Sequence, residues 1–135
     1  MDFSTLLTPG IEAQKAETVT DQNTAAAFGS GGIAVYATPA MIALMEGASF
    51  SAVQPTLPEG WSTVGTELNV KHLSATPLGV KVYATAELLN IDGRTLTFKV
   101  EAFDEAGKIG EGTHGRFIIN AEKFLAKLEA KKAQV

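Results

Sequence analysis

The sequence predicts an α+β domain in which one antiparallel sheet wraps a single long helix. Three observations lead there. The stretch Thr38 to Ser51, TPAMIALMEGASFS, opens with a helix-starting Thr-Pro pair and is apolar almost all round. A helix without a polar face is buried rather than laid on a surface. Four segments that follow it alternate apolar and polar residues with period two, the mark of half-buried strands. With 135 residues and 45% hydrophobic content, the chain supplies one domain, residues 1–135, with enough apolar surface for a core.

In chain order, Ile11 to Val19 reads as a first strand and Gln22 to Phe28 as a short helical piece. Gly29 to Gly32 (GSGG) breaks the chain just before the central helix. It serves either as a loop that turns the chain inward or as a mobile flap over a ligand site, with Gly32 and Tyr36 beside that site. A phosphate loop does not fit, because no Lys-Ser or Lys-Thr follows. Thr38 reads as the N-cap of the helix and Pro39 as its first residue. The helix carries Met41, Ile42, Ala43, Leu44, Met45, Ala48 and Phe50. Gln54 to Gly60 is a turn-rich connection with two prolines.

The first of the four strands, Ser62 to Leu73, places Val64, Thr66, Leu68, Val70 and His72 on one face. The second, Gly79 to Asn90, sets Val80, Val82, Ala84, Ala86 and Leu88 against Lys81, Tyr83, Thr85 and Glu87. Asp92-Gly93 signals a tight hairpin. The third, Arg94 to Phe103, sets Leu96, Phe98, Val100 and Ala102 against Thr95, Thr97, Lys99 and Glu101. The fourth runs from Ile109 to Ile119. Asn120 caps a closing helix, Ala121 to Lys132, with lysines at its C-terminal end, where the helix dipole favours them.

Composition narrows the function. A net charge of −4 gives no electrostatic case for nucleic acid or an anionic membrane. The chain has no cysteine, which suits a reducing cytoplasm. MDFSTLLTPG lacks the features of a signal peptide, and no apolar run reaches a membrane span.

Glu46 is the residue that packing does not explain. A lone carboxylate in an apolar helix costs several kcal/mol unless it is partnered or protonated. Burial there would raise its pKa towards a range useful for proton transfer, and His72 and Thr38 could hold it ionised. His72, on an inward strand face, exchanges protons near neutral pH, and it and Glu46 could satisfy each other. Thr38 could orient Glu46 or a water, or attack a carbonyl itself. Gly65 is a bulge or close-packing glycine, or a site where a backbone donor reaches a ligand. Arg116 is a solvated strand arginine or a phosphate ligand. His114, in phase with Arg116 and opposite Phe117 and Ile119, reads as structural or as a sheet-surface residue. Tyr36 and Trp61 read as packing or pocket wall. One His and one acid are too few for a metal site.

The stretches YATPAMIALMEGAS, STVGTELNVKHLSATPLG and KIGEGTHGRFIINAEKFLAK resemble the fluoroacetyl-CoA thioesterase type of hotdog protein, over about Ile11 to Lys131. The resemblance implies a hotdog fold and hydrolysis of a small or medium acyl-CoA, with no cofactor beyond the coenzyme A of the substrate. It matches Thr38, Glu46 and His72 to the family's catalytic residues, Gly65 to the glycine whose N–H lies near the substrate carbonyl, and Arg116 to a position facing coenzyme A. It departs at the flap, where fluoroacetyl-specific enzymes carry bulky aromatic residues and this chain has Gly29, Gly31 and Gly32. It further implies a homodimer with active sites at the subunit interface. A hotdog hydratase or dehydratase and a non-catalytic acyl-CoA-binding dimer are the alternatives.

Overall fold

The computed structural model describes residues 1–135. Its strands are β1 (Glu12–Thr18), β2 (Trp61–His72), β3 (Lys81–Asp92), β4 (Thr95–Asp104) and β5 (Gly107–Asn120). Its helices are α1 (Ala25–Phe28), α2 (Thr38–Val53) and α3 (Ala121–Lys132). The strands form one antiparallel sheet in the order β1-β3-β4-β5-β2. The central helix packs on one face of it. No helix is long and apolar enough to cross a membrane.

The core lies between α2 and the sheet. Met41, Met45, Ala48 and Val53 meet Val82, Ala84, Ala86 and Leu88 of β3 and Leu96, Phe98, Val100 and Ala102 of β4 in one cluster. The predicted faces of β3 and β4 therefore hold. Their opposite face is polar, and there Lys108 bridges Glu101 at 2.7 Å and Glu111 at 2.9 Å.

Three expectations are corrected. The short helix begins at Ala25, not Gln22, because the Thr24 hydroxyl accepts from the Ala27 N–H and starts the turn there. Gly29, at φ 71°, ends it. Thr38 is the first helical residue and Ala37 the N-cap, without a side-chain cap bond. The Thr38 hydroxyl is engaged elsewhere. Finally, Val64 and Thr66 do not share a face with Leu68, Val70 and His72. The β2–β5 register shifts between Gly65 and Glu67. Gly65 lies opposite Arg116 and Leu68 opposite His114, so the bulge switches the parity of the inward face.

The close fit of β2 on β5 yields a stability prediction. A Cβ on Gly112 would stand 2.1 Å from the Asn69 carbonyl oxygen and 2.6 Å from the Val70 Cα. Both are backbone atoms and cannot swing away. Gly112→Ala is expected to destabilise the fold by about 1–3 kcal/mol or more, as overpacking does. Urea unfolding measures this, and an unchanged midpoint would contradict it.

Candidate active site

Two separate polar clusters lie along the helix. The first is at its N-terminal end, where Thr38 Oγ1 lies 2.7 Å from His72 Nδ1. The start of α2 delivers the threonine and the end of β2 the histidine. His72 Nε2 is buried without a hydrogen-bond partner. Burial lowers the His72 pKa below its ordinary 6.5, against an opposing backbone contact at Ser74, so the ring is neutral at pH 7.

A cleft of about 350 Å³ opens onto this pair. Ala25, Ser30, Val35, Tyr36, Leu73 and Ala75 line it. The glycine segment therefore reaches the cleft through Ser30. Gly32 does not line it, and a Cβ there would meet nothing within 4 Å. Tyr36 is a cleft wall as expected, but its hydroxyl is engaged, donating to Glu17 Oε2 at 2.5 Å. Burial, then that hydrogen bond, push its pKa well up.

The second cluster is built around Glu46, two helical turns further on and about 12 Å along the axis from Thr38. Its side chain is 37% exposed. Oε2 lies 3.8 Å from Arg116 Nη1 and 4.0 Å from His114 Nε2. A Cβ on Gly65 would stand 2.6 Å from the same oxygen, so only glycine lets the carboxylate rest over β2. Arg116 is almost wholly buried. Its Nε donates to Thr63 Oγ1 at 2.8 Å and its Nη2 to the Thr63 carbonyl at 2.9 Å. Its Nη1 lies 3.1 Å from His114 Nε2. His114 Nδ1 lies 2.8 Å from the Glu67 carbonyl oxygen.

This geometry corrects the sequence reading in three ways. Glu46 is not enclosed in a single chain. Glu46 and His72 do not satisfy each other: the acid sits with Arg116 and His114, and the histidine with Thr38. Of the alternatives for Arg116 and His114 the surface ones fall, since both point to the helix side of the sheet, and the structural reading of His114 stands. Thr63, which accepts two of the Arg116 hydrogen bonds, carried no sequence signal.

Burial also lowers the His114 pKa; the Glu67 carbonyl raises it, the Arg116 cation lowers it and Glu46 raises it. Both histidines thus take up protons less readily in the folded chain than in the unfolded one. The unfolded chain binds more protons in this range, so stability rises with pH. It is undiminished above the unfolded value, falls as pH drops through 6.5, and stops falling once the lowered folded values are passed. The urea midpoint is therefore expected to drop between about pH 7 and pH 5. A midpoint that rises on acidification would contradict this.

Comparison with known proteins places the chain. The model of a family described as fluoroacetyl-CoA-specific thioesterase matches residues 19–122. The chain belongs to the fluoroacetyl-CoA-specific thioesterase family. It is 45% identical, over 72% of its length and 70% of the relative's, to a fluoroacetyl-CoA thioesterase from Streptantibioticus cattleyicolor. A variant of a fluoroacetyl-CoA thioesterase solved with fluoroacetate and coenzyme A is 35% identical, with a TM-score of 0.82 over 87% of this chain and 99% of the other. A Thermus thermophilus thioesterase superfamily member is 29% identical, with a TM-score of 0.88 over 94% of each chain. A hot-dog-like protein from Thermanaerovibrio acidaminovorans, 22% identical with a TM-score of 0.88 over 97% of each, shares the fold. The fold is the hotdog fold, and the family is one of thioester hydrolases.

Proposed function

We propose that this chain hydrolyses the thioester of small and medium acyl-CoA substrates, in the cytoplasm, at a site shared by two copies. The observation that carries the reading is the Glu46 carboxylate, poised over Gly65 with Arg116 as its nearest cation. In this reading Glu46 is the base that activates water, or the nucleophile that takes the acyl group. The Gly65 backbone N–H helps to hold the carbonyl oxygen as charge develops on it. Thr38 and His72 orient the attacking group; in the base route the proton that Glu46 takes from the water is the one that passes to the departing thiolate.

A second copy supplies the missing juxtaposition. The twelve-residue strand β2 is an edge of the sheet, and such an edge is a template for another strand. Antiparallel pairing of β2 with its copy would bring the His72 end of one strand alongside the Gly65 end of the other. The Thr38–His72 cluster of one copy would then stand beside Glu46 of the other.

The acyl group follows from the cleft. Ala25, Ser30, Val35 and Ala75 wall it beside Tyr36 and Leu73, and the glycine segment puts no bulky side chain into it. Butyryl- and hexanoyl-CoA are therefore expected to be turned over at least as well as acetyl- and fluoroacetyl-CoA. Ser30→Phe, at the position of this segment that lines the cleft, is expected to shift the preference to the short acyl groups. Thiol release across acetyl-, fluoroacetyl-, butyryl-, hexanoyl- and phenylacetyl-CoA tests both statements. Binding of these esters without turnover would show a binding module instead.

A further inference from the structure

One buried ionisable side chain has no part in the reaction just proposed. His114 is 1% exposed, on the helix side of β5. The Glu67 carbonyl oxygen, 2.8 Å from its Nδ1, has no proton to give. Nδ1 therefore carries the hydrogen and donates it. In a neutral ring this leaves Nε2 as a bare lone pair. Arg116 Nη1, 3.1 Å away, donates to that lone pair. With Nε on the Thr63 hydroxyl and Nη2 on the Thr63 carbonyl, the guanidinium is held at all three of its nitrogens. Its plane is thereby fixed, and Nη1 has a second N–H left, with Glu46 Oε2 3.8 Å from that nitrogen.

We propose that His114 is a positioning residue for the hydrolysis: its neutral ring, hung from the Glu67 carbonyl, holds Arg116 Nη1 so that the guanidinium faces Glu46 and keeps that carboxylate aimed across Gly65. This presupposes Glu46 as the acid–base or nucleophilic group proposed above. His114 touches neither the thioester nor Glu46 at hydrogen-bonding distance, since its Nε2 is 4.0 Å from Oε2. It acts through the arginine. A protonated ring would have no lone pair for Nη1 and would set two cations against each other.

Two amide replacements separate the two nitrogens of the ring. An asparagine amide occupies the place of Nδ1 and a glutamine amide the place of Nε2. His114→Asn keeps a donor for the Glu67 carbonyl and loses the acceptor for Arg116. His114→Gln keeps that acceptor and loses the donor. With the acyl-CoA that the wild type turns over best, H114N is expected to lose about 10- to 100-fold in kcat with KM little changed, as loss of precise orientation does. H114Q is expected to recover most of that loss. Thermal unfolding establishes that both are folded at the assay temperature. Equal losses in the two variants, or wild-type kcat in H114N, would overturn the role of His114. Glu46→Gln, assayed alongside, keeps the two readings apart. An active E46Q sinks the chemistry assigned to Glu46, whereas an inactive E46Q with equal H114N and H114Q sinks only the positioning role. A second measurement needs no variant. The ¹⁵N spectrum of wild-type His114 at neutral pH is expected to show the neutral tautomer with the proton on Nδ1, and a proton on Nε2 would overturn the proposal by itself.

Discussion

Glu46→Gln is expected to lower kcat by about 10²- to 10⁴-fold, the range for loss of a positioned acid–base group. The substitution keeps the shape of the side chain and removes its charge and basicity. KM should change little, because the carboxylate is assigned to the reacting centre and not to the coenzyme A body. The fold should survive. The side chain is 37% exposed, and Arg116, the cation that loses its partner, keeps its hydrogen bonds to Thr63 and His114. Glu46→Asp is a finer probe. It keeps the charge and withdraws it by one methylene, and a displacement of about 1 Å at a reacting group costs on the order of 10²-fold. Initial rates of thiol release, with thermal unfolding as a control, measure both variants. A folded E46Q that turns over at the wild-type rate would remove Glu46 from the chemistry.

Which parts of this arrangement the sequence could carry depended on unbroken periods. The inward faces of β3 and β4 were legible because Val82 to Leu88 and Leu96 to Ala102 keep period two without interruption. β2 misled for the opposite reason. One extra residue between Gly65 and Glu67 moves Val64 and Thr66 out of phase with His72; Gly65 offers a bulge as one of its readings, but the alternation of the strand reads straight through it. β5 misled through its hydrophobicity. Phe117 and Ile119 made their face look like the inside, yet Phe117 is 39% exposed while His114 and Arg116 are buried. The apolar residues of that outer face lie beside Phe124 of α3, so the closing helix gives the outer side of β5 an apolar neighbour of its own. Glu46 stood out because a lone acid in an apolar helix needs a reason. Its surroundings did not, because they depend on how β2 and β5 pass beneath the helix, dozens of residues away in sequence. The Thr38 hydroxyl illustrates the same limit: local rules make it a cap, and a histidine 34 residues further on takes it instead.

Two inactive variants are expected to rescue each other. If the site is shared, Glu46→Gln disables the half that one copy contributes and His72→Ala the half contributed by the other. In a mixed dimer both lesions then fall in one of the two sites, and the other site is intact. Random pairing makes half the dimers mixed, so equal amounts of the two, unfolded and refolded together, should regain about a quarter of wild-type activity. Each variant refolded alone should stay inactive. The opposite arrangement, with Glu46 and His72 of one chain serving the same site, leaves one lesion in every site of a mixed dimer, and mixing then restores nothing. The single chain favours the first outcome. Glu46 and Thr38 lie about 12 Å apart along the axis of α2, too far for their side chains to work on one thioester without movement of the helix. In the proposed shared site, edge pairing of β2 would close that gap with no change inside either copy. Sedimentation of the refolded mixture checks that dimers have formed, so that silence from a dimeric mixture would assign each site to a single chain.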